Sequence, residues 1–154
     1  MTWPHDEIHS AAVPYIRKHA SRETEWRFTR IDAVPDQLAR IVRLEADERV
    51  IVSCFIDGLR WHVMTTARVF GFVRGSAFTC SPLDVRQWRL GNLKANGQSG
   101  VETATLSLAD GTHLRFPYES GPAASAPLCY QRFWIEKYPD LSKNQARSDS
   151  SAGT

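Results

Sequence analysis

The chain has 154 residues, 42% of them apolar and 23% charged, a make-up that fits one globular domain and excludes a collagen-like or wholly disordered chain. A formal charge of +2 gives no net-charge case for nucleic-acid binding, although residues 50–118, with 7 basic and 4 acidic side chains, have room for a modest basic face. The three cysteines, Cys54, Cys80 and Cys129, are too few and too scattered for a disulfide framework or a zinc knuckle, and no apolar run approaches the ~18 residues of a membrane span.

The order of elements begins with a helix over residues 5–21. Ile8, Ala11, Ala12, Tyr15, Ile16 and Ala20 recur at three- and four-residue spacing and form one apolar stripe. Pro14 removes an intrahelical donor, so a kink or two shorter helices are expected. A short helix is predicted over 36–44, opened by Pro35, with Leu38, Ile41, Val42 and Leu44 turned inward.

From Arg49 the pattern becomes that of strands. Residues 50–56 are an apolar run that ends at Asp57-Gly58, a two-residue hairpin signal. Residues 59–65 return from it, with Leu59, Trp61, Val63 and Thr65 on one face and Arg60, His62 and Met64 on the other. Five more strands are predicted at 68–73, 76–80, 84–90, 101–108 and 112–118, with turns at Arg74-Gly75 and Asp110-Gly111. In the strand at 84–90, Arg86, Trp88 and Leu90 share one face and Val85, Gln87 and Arg89 the other. A polar loop fills 91–100. The last helix is predicted over 125–137, with Cys129, Tyr130, Phe133 and Trp134 along one side and Pro139 as its stop. The Ser-rich tail from Leu141 is expected to be mobile.

Seven strands followed by one amphipathic helix is the order of the pleckstrin-homology superfold. The run Glu48-Arg49-Val50-Ile51-Val52-Ser53, then Trp61-His62-Val63-Met64-Thr65-Thr66-Ala67-Arg68-Val69, with the Pro82-Leu83-Asp84-Val85 step into the next strand, resembles bacterial pleckstrin-homology-like (PH-like) domains. The resemblance covers roughly residues 45–138. It implies an α+β chain: a PH-like seven-stranded antiparallel β-sandwich or barrel capped by a C-terminal helix. Residues 1–45 would form an N-terminal helical extension packed on the core, 46–138 the PH-like domain, and 139–154 a flexible tail. Phosphoinositide binding does not carry over, because the loop between the first two strands is only Asp57-Gly58, with Arg60 beside it.

No catalytic constellation is legible, so no enzyme activity, cofactor or metal is expected. His5 and His9 are four apart on a helix, but the motif of a helical zinc site is absent, and a surface role is the simpler reading. His62 and His113 read as exposed sheet residues. No nucleophile elbow is present, and the cysteines read as small buried hydrophobes in a reducing cytoplasm; Cys129, near a helix start, is the least inert. The 91–100 loop lacks the spacing of a phosphate-binding loop but is long enough to carry recognition.

Trp and Arg are the residues most enriched at binding hot spots. Arg60, Trp61, Arg86, Trp88 and Arg89, with Asn92, Lys94 and Asn96 of the polar loop, are therefore the candidate partner-binding set. On the fifth strand the same pattern is equally that of a bent edge whose Arg stems lie along apolar surface. The expected function is that of a cytoplasmic, non-enzymatic protein-binding module. An alternative is an immunity protein whose partner is a toxin domain; a second is a small enzyme in which His62 or His113 meets Glu102 or Asp84 in a cleft beside the N-terminal helices.

Overall fold

The structure, a computed structural model, describes residues 3–90 and 100–139. The polar loop positions Asn92, Lys94 and Asn96 and the tail from Leu141 lie outside the described residues. Among the described residues three α-helices, α1 (His5–His19), α2 (Asp36–Ala39) and α3 (Ser125–Lys137), accompany eight strands. These are β1 (Thr29–Ile31), β2 (Val50–Asp57), β3 (Arg60–Thr65), β4 (Val69–Val73), β5 (Ser76–Cys80), β6 (Val85–Arg89), β7 (Val101–Leu108) and β8 (His113–Glu119). All pairings are antiparallel. Strands β1 to β5 form one sheet in chain order, and β6 to β8 form a second.

The α+β class and the two terminal helices agree with the sequence reading, and each of the seven predicted strands has a counterpart. The strand count of the expected seven-stranded sandwich or barrel does not agree: the described residues form two sheets of five and three strands, not plainly one barrel, and β1 is an additional strand. Its three residues, Thr-Arg-Ile, are too few to show alternation. The helix predicted over 36–44 is four residues long, because after Ala39 the chain turns rather than continuing. α1 runs unbroken through Pro14 and ends at His19.

Two apolar layers hold the sheets. The main core lies between the sheets and the two long helices, and includes Ile8, Ala12 and Ile16 of α1, Met64, Phe116 and Tyr118 of the strands, and Tyr130, Phe133 and Trp134 of α3. A smaller cluster lies on the other side of the five-stranded sheet, where Leu38 covers Trp61, Val63 and Phe70. Both faces of β3 are thus buried. His62, read from sequence as exposed, is 1% exposed, since it faces the main core while Trp61 faces the smaller cluster. His9 is likewise buried, its Nε2 2.6 Å from Asp32 Oδ1. The Arg74-Gly75 turn has both residues at positive φ (51° and 78°), the backbone of a two-residue hairpin whose twist matches its strands.

Polar ties fix the edges. Glu119, at the end of β8, accepts N–H donors from Arg27, Phe28 and Thr29 at 2.7–2.9 Å and the Thr29 hydroxyl at 2.8 Å. One carboxylate thereby occupies the outer border of β1, and Arg17 reaches the Ile31 carbonyl on the same border. Behind the β3–β4 turn, the buried Glu48 carboxylate binds the Arg68 guanidinium at 2.8 and 3.0 Å and accepts the Thr65 hydroxyl. No helix among the described residues is long and apolar enough to cross a membrane.

Candidate functional site

An unpaired strand border is a row of backbone donors and acceptors that another chain can join. The outer border of β1 is tied by Glu119 from the end of β8, and β8 lies against β3, where His62 Nδ1 is 2.7 Å from the Pro117 carbonyl. The other two borders belong to β5 and β6. Among the described residues β6 pairs only with β7.

The start of β6 lies beside α3. The Asp84 carbonyl accepts from Ala109 on the β7 side, and the Val85 carbonyl points the other way and accepts from Gln131 Nε2 at 3.3 Å. Gln131 Oε1 is buried without a hydrogen-bond partner. A groove of about 190 Å³ runs between the two elements, lined by Pro82, Leu83, Val85, Arg86, Gln131 and Trp134, with Ile135 at its lip. Ile135 is 54% exposed, an apolar side chain with no core to enter.

The structure divides the sequence-predicted contact residues. Arg86, Trp88 and Arg89 stand on β6, while Arg60 and Trp61 stand on β3 in the other sheet. A bulge at Arg86 shifts the register between Val85 and Gln87, so Val85 and Trp88 face inward while Gln87 and Arg89 face out. This corrects the simple alternation expected over 84–90. Trp88 is half-buried and meets Phe116 edge-on at 5.0 Å. Trp61 is 8% exposed and edge-on to Phe70 at 6.1 Å, so it serves the smaller core. Arg60 closes its hairpin by gripping Asp57 through Nη2 at 2.8 Å and Nε at 3.2 Å, which holds the Asp57 carboxyl below its usual range. Gln131 and Ile135 were not legible as contact residues, because nothing in the sequence joins 131–135 to 82–86.

The titratable groups are arranged for packing. Burial holds the His62 imidazole down at about 4, despite its bond to Pro117. Burial pushes the Cys54 and Cys80 thiols up to about 12 and raises that of Cys129, so the position nearest a helix start is not an activated thiol. His62 is stacked inside on Phe116 at 4.2 Å, whereas His113 is exposed beside Ser107 Oγ at 3.1 Å, and the two share no cleft. No group of three or more His, Cys, Asp or Glu side chains among the described residues is placed to hold a metal ion. Comparison with known protein families, with curated proteins and with solved structures gave no match.

Proposed function

We propose that the chain is a non-enzymatic protein-binding module of PH-like architecture, and that a partner segment joins the border of β6 that has no strand partner among the described residues, beside α3. The architecture is supported by the order of four strands, three strands and a closing helix, β2–β5, β6–β8 and α3, with β1 added at one edge. The observation that carries the function is an apolar groove beside a strand border that, beyond the Val85 carbonyl bound by Gln131, has no strand partner among the described residues. Backbone groups of β6 supply affinity to an added strand, and the groove between Leu83, Trp134 and Ile135 takes one of its side chains. Gln131 Oε1 offers an acceptor at the junction.

The test is site-specific photocrosslinking in host lysate, with a benzophenone side chain at Gln87, at Ile135, or at Arg22 as a control. A common protein adduct at Gln87 and Ile135 but not at Arg22 is expected. Equal adducts at all three, or no protein adduct alongside saturable binding of a metabolite, overturns the reading.

A further inference from the structure

The outward face of the three-stranded sheet carries a pattern that folding alone does not require. The register sets Arg89 opposite Thr105 and Thr105 opposite Arg115. In the next row Gln87 stands opposite Ser107 and Ser107 opposite His113. The two arginines, Gln87 and His113 are exposed, and the central hydroxyls are half-exposed between them. Each row is thus a hydroxyl flanked by nitrogen donors, with the outer Cα atoms roughly 10 Å apart, two strand spacings. None of the six is a carboxylate. A face that merely meets water gains from opposite charges on neighbouring strands, whereas among the described residues the two guanidiniums on either side of Thr105 have no carboxylate within ion-pair distance.

We propose that these two rows are a docking face for an acidic protein segment, one carboxylate of which sits over Thr105 between the Arg89 and Arg115 guanidiniums while the Gln87, Ser107 and His113 row offers polar contacts beside it. This rests on reading the chain as a protein-binding module, and adds the charge of the partner and a second surface next to the β6 border. Arg forks bind carboxylate through paired N–H donors, and a hydroxyl between two of them supplies a third. Single-stranded nucleic acid is held by large aromatic platforms as well as cations, and neither row contains a Phe, Tyr or Trp, the His113 imidazole being the one ring.

The test uses three probes on the full chain: an extended peptide of about twelve residues alternating Glu with Thr, its Gln counterpart, and a single-stranded oligonucleotide of similar length. The Glu peptide is expected to bind with an affinity that falls as salt rises, and to shift the amide resonances of Thr105 and Ser107. Arg89→Glu with Arg115→Glu should weaken it at least tenfold, Arg89→Gln with Arg115→Gln less, and Arg22→Glu should leave it unchanged. Equal binding of the Gln peptide, indifference to both double variants, or tighter binding of the oligonucleotide through the same rows overturns the proposal. If the Gln87 and Ile135 crosslinks persist in the Arg89→Glu/Arg115→Glu chain while the acidic peptide fails, this inference falls and the module reading stands.

Discussion

His62 and Pro117 join the two sheets: the imidazole Nδ1 lies 2.7 Å from a carbonyl, which only accepts, so that nitrogen carries the proton. The other nitrogen, Nε2, is buried without a partner. Protonating it would place a cation in the core with an unanswered N–H.

The pH dependence of stability follows. The folded-state value of about 4 lies below the ordinary 6.5, so between these values the unfolded chain binds more protons. Stability from this group is complete above pH 6.5 and is lost as pH falls toward 4, a total of about 3 kcal/mol. Urea unfolding at several pH values should show that slope, and His62→Phe should flatten it. An identical slope in the variant would refute the assignment.

Glu48 and Arg68 form the buried pair behind the β3–β4 turn. Burial pushes the Glu48 carboxyl up, but the hydrogen bonds from Arg68, Thr65 and the Glu45 amide outweigh it and hold it below its ordinary value. Its stabilising effect is therefore present above that ordinary value and disappears with further acidification. Arg68→Ala leaves the carboxylate unpaired and should cost about 3 kcal/mol, whereas Glu48→Gln with Arg68→Met should cost less than that single change. Chemical denaturation of the wild-type chain, Arg68→Ala and the double variant ranks the three.

Gly71 sits on β4 opposite both His62 and Phe78. A Cβ there would collide with the Trp61 carbonyl and lie 2.7 Å from Phe78 Cζ. The first contact is backbone and cannot swing aside, so Gly71→Ala should destabilise by about 3 kcal/mol. Gly75→Ala, where nothing lies within 4 Å, is strained only by its φ of +78° and should cost less. Thermal melts of the two variants would rank them.

Glu119→Gln replaces an acceptor of four hydrogen bonds with a group that carries its own N–H donors. A loss of about 2 kcal/mol is expected. The amides of Phe28 and Thr29 should exchange with solvent faster than those of β3, since β1 has few other ties. Unchanged protection of both amides would show that β1 is held by something else.

What the sequence made legible was local. The bounds of α3 and the β4–β5 turn follow from periodicity and from the Arg-Gly pair, and the structure places them there. β1 was hidden because its outer border is completed by a side chain from residue 119 rather than by a neighbouring strand. His62 was misjudged because Arg60 made one face of β3 look wet, while the covering residues, Leu38 on one side and Phe116 on the other, are distant in sequence. The candidate contacts failed to converge for the same reason. Trp61 is spent on the smaller core, and the groove at β6 depends on Gln131 and Ile135, which only the docking of α3 brings there.

α1 and α3 lie against each other, with Tyr15 edge-on to Phe133 at 5.7 Å and its hydroxyl donating to Glu136 at 2.7 Å across 121 residues. During translation α1 therefore emerges long before the helix it packs on. At ordinary elongation rates the apolar stripe of Ile8, Ala12 and Ile16 waits on the order of ten seconds for that neighbour. The nascent chain is an expected client of ribosome-associated chaperones over that interval, and truncation within α3 should yield an aggregating product rather than a shorter folded one.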